Sequence, residues 1–137
     1  MLDHVLSMPT ATRFLTVNDA LIPIKLEAVA SAPAMDFTAP RPIGAGIADA
    51  TATPTGGYDF AWVFDRWSAN ATVESVRATV FSPLTGVGCV FATDQPSVQI
   101  YTGNFLNGSI PRKATQGGPA AHYEASICFE LLIPVPS

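Results

Sequence analysis

The chain has 137 residues, of which 48% are hydrophobic and only 13% charged, and its formal net charge is −4. That length suits a single domain over residues 1–137, able to bury about 68% of the surface its unfolded chain would expose. The acidic balance speaks against nucleic acid or an anionic membrane surface as partner, and no apolar run approaches the roughly 18 residues of a membrane helix.

Twelve Pro and ten Gly are spread along the chain, which favours short strands joined by turns over long helices. The first segment, MLDHVLSM, holds Asp3 and no Lys or Arg before Arg13. It makes a poor signal peptide, so a cytoplasmic location is expected. Residues 2–17 carry Val5, Leu6, Met8, Phe14, Leu15 and Val17, interrupted by Pro9, and read as two short strands. Asn18-Asp19 marks a turn. Ile22, Ile24 and Leu26 then alternate with Pro23, Lys25 and Glu27, the pattern of a half-buried strand, and Pro23 favours an edge position. Ser31 to Ala52, rich in Ala, Pro and Gly, suits an ordered loop pinned by Met35, Phe37 and Ile43, with room for one helical turn within Gly44 to Ala52.

Gly56-Gly57 breaks the chain again, and Tyr58 to Trp67 (YDFAWVFDRW) reads as a strand buried on both faces with Asp59 at its start. Val76, Ala78 and Val80 alternate with Ser75, Arg77 and Thr79, a strand with one wet face. Ser82-Pro83-Leu84-Thr85-Gly86 is a turn, and Val87 to Ala92 returns from it as a hairpin. In TDQPSVQIYTGNF at 93–105, Val98 and Ile100 alternate with Gln99 and Tyr101, and Thr102-Gly103-Asn104 closes the strand with a turn. Its expected neighbour is the last strand, His122 to Leu132, reached through a polar loop over 107–119. Elements of this kind define an all-β chain, an antiparallel β-sandwich. Two Cys, Cys89 and Cys128, in an unsignalled chain are expected to be buried free thiols. Asn70-Ala-Thr72 and Asn107-Gly-Ser109 match the glycosylation sequon, which matters only for a secreted chain.

Alternation along the last strand puts His122, Glu124, Ser126, Cys128 and Glu130 on one face, too polar for the middle of a sandwich. Glu130 stands between Phe129 and Leu131-Leu132, a setting that raises a carboxylate toward general-base range; a rim carboxylate paired with Arg or Lys fits the same spacing. His122 is too distant to serve Glu130 within one strand, since eight residues span about 26 Å. Asp59 either caps the Gly56-Gly57 break or faces a cavity. No paired His, Cys or Asp spacing suits a metal, no phosphate loop surrounds Gly44-Ala45-Gly46, and no Gly-x-Ser-x-Gly elbow occurs, so neither metal nor cofactor is expected.

Six strings, in one order and across nearly the whole chain, resemble the aldose 1-epimerase (galactose mutarotase) family. They are LDHVL at 2–6, LIP at 21–23, AMDFTAPRPIG at 34–44, GGYDF at 56–60, TDQPSVQIYTGNF at 93–105 and SICFE at 126–130. The resemblance covers roughly the second half of such an enzyme. It implies part of a β-supersandwich whose concave face binds a sugar. In that family a Glu takes the anomeric hydroxyl proton while a His donates to the ring oxygen. Glu130 matches the base and Asp59 the carboxylate that holds sugar hydroxyls. Gln99, Tyr101 and Asn104 match the motif's strand and turn, expected to support the site and contact the substrate, and Phe60 beside Asp59 is expected to line it.

Departures from the family pattern are equally specific. The Asn-His-x-Tyr-Phe-Asn string that carries the family's catalytic His does not occur in this sequence, leaving His4, His122 or a second subunit to supply an acid. Phe60 stands where the family often has His, Leu131-Leu132 where it has Thr-Gln, and Ile24-Lys25 where it has Thr-Gly. Each change makes the cleft more apolar or less well supplied with sugar-binding groups. This points to an alternative: a truncated relative repurposed as an isomerase, cyclase or binder of a more apolar small metabolite. Uncovered sheet edges are further expected to make the chain a homodimer or higher oligomer.

Overall fold

The computed structural model describes residues 2–65, 76–106, 115 and 128–132, with Val76 and residues 128–132 described as backbone only. The sequons, Trp67, His122 and the 107–119 loop, apart from residue 115, therefore lie outside the described residues. Nine strands appear among those described: β1 Val5–Ser7, β2 Arg13–Val17, β3 Pro23–Ala28, β4 Arg41–Pro42, β5 Asp59–Val63, β6 Val76–Phe81, β7 Gly88–Ala92, β8 Ser97–Tyr101 and β9 Cys128–Leu132. They form two antiparallel sheets, one ordered β4-β1-β6-β7 and the other β3-β2-β5-β8-β9. This is the sandwich that the strand-and-turn composition predicts.

The five-stranded sheet has β5 at its centre, paired with β2 on one side and β8 on the other. That position explains its composition, because a central strand facing the sandwich core buries nearly everything it carries. Phe60, Ala61 and Trp62 are all buried, and Phe14 of β2 meets Phe60 edge-on at 5.9 Å between ring centroids. Phe37 and Tyr58 extend the cluster, 5.4 Å apart and also edge-on. Each such ring contributes about 2–3 kcal/mol through its burial.

The Ala- and Pro-rich stretch after β3 folds as short turns of 3-10 helix at Val29–Ser31, Pro33–Met35 and Ile43–Gly46, followed by one helical turn, α1, at Ile47–Thr51. Met35, Phe37 and Ile43 anchor it, as the sequence suggests. Two aromatic side chains hold it from beneath. Tyr58 donates its hydroxyl to the Ala34 carbonyl at 2.8 Å, and Trp62 Nε1 donates to the Met35 carbonyl at 2.8 Å. Burial pushes the Tyr58 phenol up to about 12. Gly46 is required by this contact, since a Cβ there would stand 2.5 Å from the Tyr58 hydroxyl oxygen and 2.8 Å from the Ala34 carbonyl oxygen. Downstream, Asp36 accepts from the Thr38 hydroxyl at 2.6 Å and the Thr38 backbone N–H at 2.9 Å. Those two bonds, with the nearby Arg41 guanidinium, hold its carboxyl below the usual carboxylate range.

Two expectations are corrected. β3 is the edge strand that Pro23 forecasts, but it is not half-buried: Ile24 is 63% exposed, and Ile22 and Leu26 are exposed as well. Alternation there has no covering layer to bury its apolar face among the described residues. Cys89 is a free thiol, but it is exposed on β7, which forms the edge of the four-stranded sheet, and is not buried.

Candidate functional site

β8 does what its alternation predicts. Val98 and Ile100 are 0% and 1% exposed on the core face, while Gln99 and Tyr101 on the opposite face are half-buried. The register sets Gln99 across from Ala61 of β5 on one side and from Glu130 of β9 on the other. Tyr101 lies across from Asp59. Directly opposed residues of antiparallel strands share a face, so Asp59, Gln99, Tyr101 and Glu130 occupy one face of three adjacent strands.

Gln99 reaches diagonally to Asp59: its Nε2 donates to Asp59 Oδ1 at 2.6 Å. This bond joins residues 40 positions apart and leaves no trace in local spacing. It fixes one carboxylate oxygen of Asp59. A pocket of about 230 Å³ opens beside this pair. Asp59, Gln99 and Thr55 provide its polar side chains, and Leu15, Val17, Leu21 and Pro23 its apolar wall. Phe60 also borders the pocket, though it is only 4% exposed and most of its ring belongs to the aromatic core.

The apolar wall comes from β2, the first residue of β3 and the connection between them, which the sequence marks only as a turn. Asn18 organises that connection, its Oδ1 accepting from the backbone N–H groups of Ala20 and Ile22 at 3.0 Å each. The Leu21 N–H donates to the Asn18 carbonyl at 2.8 Å. The closure holds Leu21 at φ 61°, the one non-glycine residue with positive φ among those described. A left-handed L-residue costs roughly 1–2 kcal/mol, and leucine has no polar group with which to offset it locally. The register between β2 and β3 shifts at Thr16/Val17, a bulge directly beside the turn. Leucine is a poor signal for such a conformation, which is why sequence pattern misses this element.

Asn104 lies elsewhere. Its Nδ2 donates to the Tyr58 carbonyl at 2.9 Å and its Oδ1 accepts from the Thr102 hydroxyl at 2.6 Å. Thr102 in turn accepts from the Tyr58 N–H at 3.1 Å. A Cβ at Gly57 would overlap the Asn104 amide, 2.1 Å from its oxygen, so the Gly-Gly-Tyr and Thr-Gly-Asn strings lock together. The amide of Asn104 is engaged in this latch, which fixes the start of β5 and hence Asp59. Tyr101 stacks on Phe105 with centroids 6.3 Å apart, and its hydroxyl accepts from the Phe105 N–H at 2.8 Å. His4 contacts Asp3 at 3.4 Å and borders a different cleft with Val80, Val87 and Cys89, away from the Asp59 pocket.

The fold and this face define a class: an antiparallel sandwich whose sheet face carries a carboxylate-and-carboxamide pocket sized for a small molecule. The sequence model of the family described as aldose 1-epimerase matches residues 1–134, and the chain belongs to that family. A relative from Arthroderma benhamiae, described as "Probable aldose 1-epimerase", is 31% identical over 129 residues, covering 83% of this chain and 29% of its own length. Two solved structures share the fold. The GalM/aldose epimerase homologue from C. elegans superposes with a TM-score of 0.70 at 20% identity, over 93% of this chain and 35% of its own. Galactose 1-epimerase from Lactobacillus acidophilus NCFM gives 0.68 at 22% identity, over 97% and 36%. The chain thus spans about a third of the length of the proteins it matches.

Proposed function

We propose that the chain forms the base-bearing side of a mutarotase-like site, with Glu130 as general base and Asp59 as the carboxylate that binds sugar hydroxyls. The observation that carries this is Gln99, bonded to Asp59 at 2.6 Å and standing in register with Glu130 on β9. One residue thereby ties the two acids to a common sheet face beside a pocket. In the reaction, Glu130 accepts the proton of the anomeric hydroxyl, and the bond between C1 and the ring oxygen breaks as that oxygen takes a proton from an acid. Rotation about C1–C2 and closure on the opposite face of the aldehyde return both protons and give the other anomer. Gln99 supports Asp59, Tyr101 and Phe60 frame the cleft, and Asn104 acts from outside it through the latch that fixes the start of β5. With His4 on a different cleft, the acid is left to His122 or to a group from a second subunit.

NMR anomer exchange of glucose and galactose tests the reading. Wild-type protein is expected to speed exchange, and Glu130→Gln to lose at least about 100-fold of that acceleration. Exchange that is unaffected by protein, or equal in wild type and Glu130→Gln, removes it.

A second reading is favoured by the wall of Leu15, Val17, Leu21 and Pro23: a repurposed pocket that isomerises, cyclises or simply binds a more apolar metabolite. Co-purification of such a molecule with no effect on sugar anomers would select it. In either case the exposed apolar side chains of the outer strands and the residues just before them, Ile22, Ile24, Leu26, Val87 and Val90, support self-association, which light scattering after size exclusion measures.

A further inference from the structure

We propose that the Asn18–Pro23 turn is a specificity element that selects aldoses with a methyl group where a common hexose carries hydroxymethyl, the 6-deoxyhexoses. The inference deepens, and rests on, the mutarotase-like reading of the Asp59 pocket. Its starting point is a strained residue at the pocket's edge. Leu21 sits at φ 61°, a conformation that Gly or Asn adopts far more readily, and Asn18 pins it there with its side chain and carbonyl. Such strain in a pocket-lining turn points to a role for the side chain it displays.

The pocket is chemically two-sided. Asp59 and Gln99 form a polar corner, suited to a pair of vicinal hydroxyls. Leu15, Val17, Leu21 and Pro23 make the apolar arc. Thr55, the remaining polar side chain of the lining, is 1% exposed and donates its hydroxyl to the Gly57 carbonyl. A pyranose held at the corner through hydroxyls near its reacting carbon turns its far ring edge, with C6, to the arc. Against this arc, where Leu21 is 39% exposed, a hydroxymethyl group gives up part of its hydration and meets no polar side chain, whereas a methyl group gains apolar contact. The polar corner equally disfavours a wholly apolar ligand.

D-galactose and D-fucose differ only in the C6 hydroxyl and make the test. Ligand-observed saturation-transfer NMR titrations should show D-fucose binding about tenfold more tightly, with the strongest transfer at its methyl group. Leu21→Asn keeps a residue that tolerates the left-handed turn but makes the arc polar, and should bring the two affinities within about twofold. Leu21→Gly relieves the backbone and removes the side chain, and should also erase most of the preference, which guards against a folding artefact of the first variant. Equal affinities in wild type, or a ratio unchanged in both variants, overturn the proposal. Anomer exchange run on the same samples separates it from the parent reading. Equal acceleration of both sugars without preference sinks only the specificity element. A retained D-fucose preference without acceleration sinks the catalytic reading and leaves the recognition surface. If neither sugar binds, both fail.

Discussion

β8 and β3 carry nearly the same sequence signature and meet opposite fates. Val98 and Ile100 alternate with Gln99 and Tyr101, and are 0% and 1% exposed. Ile24 and Leu26 alternate with Lys25 and Glu27, yet are 63% and 41% exposed. The difference lies in neighbours. β8 is flanked by β5 and β9 and backed by the aromatic core, whereas β3 closes the sheet with β2 alone. Alternation states that a strand can present one apolar face, and the sheet order decides whether anything covers it. β7 repeats the lesson at the edge of the other sheet, where Val90 is 67% exposed.

Substitutions at graded distances from the centre sharpen the contrast. Trp62→Ala, at a fully buried ring whose Nε1 holds the Met35 carbonyl, should cost about 4 kcal/mol and leave little folded protein. Asn104→Ala breaks the latch between the Thr-Gly-Asn turn and Tyr58. It should cost about 2 kcal/mol, read as a lowered urea midpoint with unchanged slope. If Asn104 acts through the latch, ligand affinity should fall no further than the loss of folded protein explains. Ile24→Thr and Val90→Thr should each change stability of the chain by less than about 0.5 kcal/mol, because neither residue leaves a cavity. A loss above about 2 kcal/mol at either edge residue would mean that the outer strands are covered in solution. A fall in oligomer mass in these two variants would identify another copy of the chain as the cover.

The two sides of the pocket were unequally legible. Asp59 stood out as a charge entering an apolar run, and Gln99 as the polar phase of an alternating strand, so the polar corner could be nominated residue by residue. Their bond could not, because it depends on β5 and β8 lying side by side with Asp59 opposite Tyr101. Asn104 matched a family string, but only the packing of that string on Gly57 reveals that its amide is occupied within the fold. The apolar arc was invisible in sequence. Leu15 and Val17 looked like ordinary strand hydrophobes, and nothing about leucine forecasts a left-handed turn.

By itself the sequence determined the strand-rich class, the turns, the core aromatics and the family, since each follows from residue chemistry over a few positions or from ordered strings. Tertiary structure alone decided which apolar strands are buried, that Gln99 braces Asp59, that Glu130 stands in register with Gln99, and that Leu21 edges the pocket. The physical reason is common to all four. Periodicity assigns a side chain to a face, but strand order and register assign that face its neighbours, and neighbours 40 residues apart are joined by the fold, not by the local chain.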